Sequence, residues 1–185
     1  IVAAANVPTA TRTPELPTAT QPPASPTAPP VIEPPTAAPP VIEPPTAIPA
    51  PTDVPLPAEV REIIELVNEQ RAIRGVAPLN VSAELVAAAQ SHSEDMAAND
   101  FLSDTGSDGA GPDARIRRAG YIFSAWAEHI AGGFSEPFDV VQSWVGDPSR
   151  LETMIGADMR DVGVGYAANA NSQYGRYWTI LYARP

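Results

Sequence analysis

Proline is distributed very unevenly along this chain of 185 residues, and the distribution limits what each part can fold into. Residues 1–57 contain 18 of the 23 prolines but no glycine and no aromatic residue. Proline fixes φ and biases the preceding residue towards extended backbone, so the sequence predicts a polyproline II tract here. Residues 58–185 are enough for one domain with its own core.

A ten-residue repeat lies inside the tract, at residues 28–47. Its sequence is Ala-Pro-Pro-Val-Ile-Glu-Pro-Pro-Thr-Ala, and the second copy follows the first directly. Threonine beside proline without bulky neighbours is typical of O-glycosylated stalks, and the same composition also fits an unmodified linker. The candidate acceptors are Thr9, Thr11, Thr13, Thr18, Thr20, Thr27, Thr36, Thr46 and Thr52.

Apolar side chains in the tract favour self-association through residues 1–57. The Val-Ile pairs at 31–32 and 41–42 offer contact points, and the head Ile1–Ala5 is suited to adding to a sheet edge of the next subunit. We therefore expect other copies of the chain, and glycans, as partners. The chain begins with isoleucine, which fits either an export signal already removed or a fragment of a longer protein.

Charge and composition exclude several classes of function. The chain has 22 acidic and 11 basic residues, a net charge of -11, which argues against nucleic acid or an anionic membrane as the partner. Every basic residue is arginine, so catalysis by a Schiff-base lysine is excluded. There is no cysteine, and hence no disulfide or thiolate metal site. No apolar run is long enough to span a membrane.

The second part of the chain predicts an α+β domain, because its helices come first and its two clear strands come last. Leu85, Ala89, His92 and Met96 share one helix face, which makes His92 a core histidine rather than a ligand. Helices are predicted from 58 to about 74, from 83 to 99, from 112 to 119 and from 137 to 146, the last with Phe138, Val141 and Trp144 buried. Residues 149–155 are predicted to form a short turn or helix. Strands are predicted over 161–167 and 177–182, and residues 121–133 are predicted to be extended or irregular.

Glu128 and His129 place a carboxylate beside an imidazole, within the segment Trp126–Gly133. Such a pair is suited to general acid–base chemistry, with Glu128 acting together with His92 or His129. No candidate nucleophile stands in a recognisable turn. The aspartates of the 101–111 loop and its surroundings lack the ligand order of an EF-hand, so calcium is not expected there.

Several motifs, taken in order, resemble the CAP superfamily of cysteine-rich secretory, antigen 5 and pathogenesis-related proteins, in its bacterial extracellular branch. The resemblance covers nearly all of 58–185 and implies an α-β-α sandwich with a central antiparallel sheet, located outside the cell or on its surface. The motifs that carry it are Val67–Arg71, Ala88–Ala97, Gly106–Gly109, Glu128–Ala131, Val162–Ala167 and Tyr177–Thr179.

The resemblance also implies a cleft in which two histidines and a glutamate bind a divalent metal such as zinc. Here the first histidine position is Asp104, the glutamate is Glu128, and the second histidine position is Arg150. Zinc requires strong ligands, mostly imidazoles in this cleft, and an arginine repels cations. We therefore expect no metal or other cofactor. Glu128 is predicted to be braced by Arg150 or by backbone amides, and His129 is predicted to point away from the cleft.

Three functions are compatible with this sequence. The favoured one is a non-catalytic structural or adhesive protein, a CAP-like domain on a glycosylated stalk and the repeating subunit of a surface fibre. The alternative is a secreted module that binds a lipid or another small apolar ligand, and a metal-dependent hydrolase is the least favoured. The aromatic residues available to line a ligand groove, or else to pack in the core, are Tyr121, Phe123, Trp126, Phe134 and Phe138.

Overall fold

The computed structural model describes residues 54–185, and the predictions made for the tract, its repeat and its threonines lie outside this range. Five helices and four strands follow one another in the described part. The helices are α1 (Ala58–Ile73), α2 (Ala83–Asn99), α3 (Pro112–Arg118), α4 (Pro137–Val145) and α5 (Pro148–Met154), and the strands are β1 (Asn80–Val81), β2 (Ala125–Gly132), β3 (Asp161–Ala168) and β4 (Arg176–Arg184).

Local sequence explains where most helices begin. Ser82 precedes α2, and its side chain accepts a hydrogen bond from the backbone N–H of Leu85. Asp147 does the same for α5, accepting from the N–H groups of Ser149 and Arg150. Proline occupies the first position of α3, α4 and α5, where its missing N–H costs nothing.

The strands form one sheet in the order β1-β3-β4-β2. The three long strands are antiparallel, and the two-residue β1 adds parallel to β3. Alternate residues of β4 face opposite layers: Trp178, Ile180 and Tyr182 pack with α1 and α4, whereas Leu181 and Ala183 pack with α2 and α3. The domain is therefore an α-β-α sandwich with a core on each face of the sheet.

Two glycines of β3 let α2 approach the sheet at backbone distance. A Cβ atom on Gly163 would overlap the backbone at Leu85 and Val86, and one on Gly165 would overlap the backbone at Ala89 and Gln90. Any side chain at these positions would push the helix away from the sheet. The glycines thus fix the height of α2, and with it the position of every residue that α2 presents to the core.

Arg71 of α1 forms hydrogen bonds with the neighbouring loops in the layer that contains α1 and α4. Its side chain is fully buried, and its guanidinium donates to the carbonyl oxygens of Ala77, Met154, Gly156 and Met159 at 2.8–3.3 Å. One side chain thus donates to four backbone carbonyls from separate stretches of the chain.

The structure confirms the predicted fold class and most of the element boundaries. His92 is buried on α2, as its spacing predicts. On α4, Val141 and Trp144 are buried as predicted, but the prediction is wrong for Phe138, which is 54% exposed, and Val140 is buried instead. Residues 125–132 of the segment expected to be extended or irregular form a regular strand, and β1 was not predicted. None of the described helices is both long and apolar enough to cross a membrane.

Replacing Gly165 with alanine is expected to destabilise the domain by about 3 kcal/mol, because the added methyl group overlaps the α2 backbone. Urea unfolding measures the change. Gly146→Ala is the matched control, since Gly146 has helical φ and its added Cβ meets only ordinary contacts from 3.4 Å. Equal, small effects of the two substitutions would contradict the proposed role of Gly165.

Candidate functional site

Glu128 lies on β2 with its side chain on the face covered by α2 and α3. The carboxylate is only 2% exposed and is bonded by Arg115 of α3. Arg115 Nη2 donates to Glu128 Oε1 at 2.7 Å and to Oε2 at 2.9 Å. The position that the sequence singled out for acid–base chemistry therefore holds a buried ion pair.

Arg115 also holds the loop between α2 and α3 in place. Its Nη1 donates to the carbonyl of Ala110 at 2.9 Å, and its Nη2 donates to the carbonyl of Asp104 at 2.9 Å. The residue is 7% exposed, and its Nε has no hydrogen-bond partner among the described residues. A single guanidinium thus joins a helix, a loop and a strand around the Glu128 carboxylate.

His92 borders this cluster but does not bond to Glu128. Its Nε2 lies 2.9 Å from the carbonyl oxygen of Ser103 and 4.0 Å from Glu128 Oε1. Because a carbonyl oxygen can only accept a hydrogen bond, Nε2 carries the proton. Nδ1 is then unprotonated, and it is buried with no hydrogen-bond partner among the described residues. Burial lowers the pKa of His92 to about 4, and the nearby Arg115 acts in the same direction. His92 is therefore neutral at pH 7.

Burial also dominates the ionisation of Glu128. Removal from water raises the pKa of its carboxyl to about 7, although Arg115 acts in the opposite direction through its charge and its hydrogen bonds. The carboxylate of Asp104 contributes a further rise. Glu128 consequently gains or loses its proton near neutral pH while remaining buried.

The three residues that the sequence analysis assigned to ligand positions have different neighbours in the structure. Asp104 is exposed, and it meets the cluster through its backbone carbonyl, which accepts from Arg115. Arg150 Nη1 donates to the carbonyl of Ile130 at 3.0 Å, and Arg150 Nε lies 3.6 Å from Asp147 Oδ2. The prediction that Arg150 braces Glu128 is therefore wrong, and Arg115 occupies that role.

His129 points to the opposite face of the sheet, as the alternation of β2 predicts. Its ring packs against Trp144 and Tyr182, with centroids 5.9 and 5.2 Å away. Burial, and next the charge of Arg150, lower the pKa of His129 to about 4. The imidazole thus belongs to the α1–α4 core and does not accompany Glu128.

The aromatic residues considered for a ligand groove are divided between the two faces. Tyr121 and Phe123 pack against the core formed with α2, whereas Phe134 packs against the core formed with α1 and α4. Phe138 and Trp126 are 54% and 37% exposed. Core packing therefore accounts for three of the five.

The donor set around Glu128 does not fit a zinc ion. Both carboxylate oxygens are bonded to a guanidinium, and the Nε2 of His92 donates to Ser103. Within residues 54–185 no group of three or more His, Asp or Glu side chains is placed to hold a metal. The buried carboxyl also offers no exposed surface on which a substrate could meet it.

Arg115 is the site residue that sequence reasoning missed. One signal pointed to it: the seven residues of α3 include three arginines and one large apolar residue, Ile116, and a buried Glu128 needs a cation. The choice among the three arginines depends on how the loop 101–111 folds, which local spacing does not specify.

Three bacterial proteins are similar to this chain in sequence or in structure. The YkwD protein of Bacillus subtilis (strain 168) is 25% identical over 119 residues, which are 64% of this chain and 44% of YkwD. An extracellular SCP-domain protein from Bacillus anthracis superposes with a TM-score of 0.62 at 20% identity, over 71% of this chain and 45% of that one. An outer surface protein of Borrelia burgdorferi superposes with a TM-score of 0.63 at 20% identity, over 71% of this chain and 96% of that one. The chain thus spans less than half of YkwD and of the Bacillus anthracis protein.

The sequence profile described as CAP, the cysteine-rich secretory protein family, matches residues 64–182. The Bacillus anthracis protein is described as extracellular and the Borrelia burgdorferi protein as an outer surface protein, and members of the CAP family are generally non-catalytic. Because the match covers most of the described domain and the fold agrees with it, this chain belongs to the CAP family.

Proposed function

We propose that this protein is a non-catalytic structural or adhesive protein of the bacterial cell exterior, with a CAP domain carried on a proline-rich, O-glycosylated stalk. The observation that carries the proposal is the buried Arg115–Glu128 pair. The family's glutamate is bonded through both oxygens to an arginine and is 2% exposed, so it is open to neither a metal nor a substrate. An ion pair takes the place of a ligand as the internal brace of the cleft.

The stalk supplies the second part of the proposal. Residues 1–57 combine 18 prolines, proline-flanked threonines and a tandem ten-residue repeat, a composition suited to an extended, glycosylated spacer. Repeated Val-Ile pairs provide apolar contacts between copies. We infer that chains associate through this segment into a surface fibre that displays the CAP domains.

A second candidate, binding of a lipid or another apolar ligand, is favoured by the exposed rings of Phe138 and Trp126. The two rings lie on different elements, α4 and β2. Saturable quenching of tryptophan fluorescence by a lipid, abolished by Phe138→Ala, would favour this candidate over the structural one.

We expect the stability of the natural protein relative to a Glu128→Gln variant to fall as pH rises. Burial raises the pKa of Glu128 from 4.5 to about 7, so its protonated form stabilises the folded state below pH 4.5 and this contribution is lost as pH rises through 7. The change amounts to about 3 kcal/mol. Urea unfolding of both proteins at about pH 5 and about pH 8 measures it.

Both proteins contain the same two histidines, so the effect of histidine titration on stability cancels when the two unfolding free energies are subtracted. A Glu128 that is permanently ionised in the folded state would give a different result: the stability difference between the natural protein and the variant would stay almost constant between about pH 5 and about pH 8. That result would show that the attraction of Arg115 outweighs burial.

The chain is expected to bind no zinc stoichiometrically in calorimetry at neutral pH, because Arg115 occupies the carboxylate and Arg150 stands at a ligand position. A variant combining Asp104→His with Arg150→His supplies the two missing imidazoles and serves as the comparison. One zinc ion per natural chain would overturn the proposed loss of the metal site.

The natural protein is expected to exceed its sequence mass of 19.4 kDa through glycans and to associate in solution. Mass spectrometry and sedimentation of material from the native host test the two parts separately. Changing Val31, Ile32, Val41 and Ile42 to alanine keeps every proline and threonine, and should weaken association without altering glycosylation. A monomer without glycans in the native host would overturn the fibre proposal.

A further inference from the structure

Two side-chain carboxamides occupy the sheet edge that β1 and β3 form. The Asn68 carboxamide accepts from the N–H of Leu79, the residue before β1, at 2.8 Å and donates to its carbonyl at 3.4 Å. The Gln90 carboxamide bonds to the N–H and the carbonyl of Tyr166 on β3 in the same way, at 3.0 and 2.8 Å. Each carboxamide lies where a neighbouring strand would pair, so this edge is blocked at two points.

The opposite edge of the sheet is formed by β2, whose backbone groups point alternately towards β4 and away from it. The N–H of Gly133 donates to the carbonyl of Arg176 at 3.0 Å, whereas the Ile130 carbonyl accepts from side chains outside the sheet. The same alternation turns the N–H and carbonyl groups of Trp126 and Glu128 away from β4. These two residues therefore present the groups with which a further strand would pair.

Solvent reaches the main chain at this part of β2. The Glu128 side chain is 2% exposed, yet the residue as a whole is partly exposed, so its accessible surface lies on its backbone. Trp126 is 37% exposed and belongs to none of the three buried clusters of the domain. Ile122, shortly before β2, is 86% exposed. The open part of the edge thus carries exposed apolar side chains.

Residues 1–7 have a sequence suited to pairing with such an edge. They read Ile-Val-Ala-Ala-Ala-Asn-Val and are the longest stretch without proline within residues 1–57. Proline has no N–H to donate to a ladder, so the rest of the tract is poorly suited to pairing. Three of the seven residues are β-branched and none has a charged side chain, in a chain whose net charge is -11. β-Branched residues pair favourably with an aromatic ring on a neighbouring strand.

We propose that the segment Ile1–Val7 of one chain adds as a strand to the β2 edge of another chain, at Trp126–Glu128. This inference rests on the proposed fibre and names the surface through which its subunits join. The added strand ends before Ile130, because the carbonyl of that residue is already occupied. Residues 8–53 connect the segment to its own domain, and at about 3.1 Å per residue an extended tract of this length reaches about 140 Å.

The test follows amide hydrogen exchange in the full 185-residue chain carrying Ala3→Pro, whose own segment can no longer pair. A synthetic peptide with the sequence of residues 1–7 is titrated into this chain. The amides of Trp126 and Glu128 should become protected in a saturable manner, with exchange about tenfold slower or more at saturation.

Two controls make the result specific. The amides of Ala127 and His129 point towards β4, so the peptide should leave their exchange unchanged. A peptide carrying Ala3→Pro should protect neither Trp126 nor Glu128. The substitution in the chain lies outside the described domain, so it does not act by unfolding that domain.

Natural chains should protect the same two amides without added peptide as their concentration rises. An Ala10→Pro chain should behave like the natural one, because residue 10 lies outside the pairing segment. Chains that sediment as oligomers but leave both amides unprotected would overturn this inference and leave the fibre proposal standing. Natural chains that stay monomeric while the Ala3→Pro chain binds the peptide would support the edge site and overturn the fibre.

Three further results would overturn the inference. The first is a natural peptide that protects neither Trp126 nor Glu128, and the second is equal protection by the natural and the Ala3→Pro peptides. The third is protection of both amides in the Ala3→Pro chain without any peptide, which would show that the β2 edge of a second copy occupies this edge.

Discussion

The contact between α2 and the glycines of β3 determines where the rest of the domain lies. Backbone-to-backbone packing at Gly163 and Gly165 leaves no room for a side chain, and this close contact fixes the distance between α2 and the sheet. That height places His92 within hydrogen-bond distance of Ser103 and leads the chain into the loop 101–111 at a defined point. The geometry around Glu128 follows from this contact, although neither glycine touches Glu128.

Two buried arginines, one on each face of the sheet, organise the loops of the sandwich. Arg71 gathers four carbonyls beside α1, and Arg115 gathers two carbonyls and a carboxylate beside α3. A guanidinium has five N–H donors in a fixed plane, whereas an ammonium has three on a flexible stem. The chain contains no lysine, and both positions use the geometry that only arginine provides. A lysine at either position would not reproduce these contacts, because its three donors radiate from a single atom.

Much of the fold could be predicted from local sequence, because short-range rules decide it. Ser82 and the helix-initial prolines set where helices begin, and strand alternation separates Glu128 from His129 correctly. The partner of Glu128 could not be predicted, because Arg115 reaches it across a loop whose path depends on Asp104 and Ala110 carbonyls. Phe138 was misplaced because the apolar residues of α4 form adjacent pairs at 137–138, 140–141 and 144–145, so spacing alone does not decide which member of a pair faces inward.

The outer edge of β2 has a consequence for how the domain behaves at high concentration. β2 is the last strand of the sheet, and an unpaired strand edge is a template for joining other chains. The Ile130 carbonyl of this strand accepts hydrogen bonds from Trp144 Nε1 and Arg150 Nη1. A foreign strand would have to displace both donors before it could align there. Trp144 and Arg150 therefore protect this position of the sheet edge from pairing with a strand of another chain.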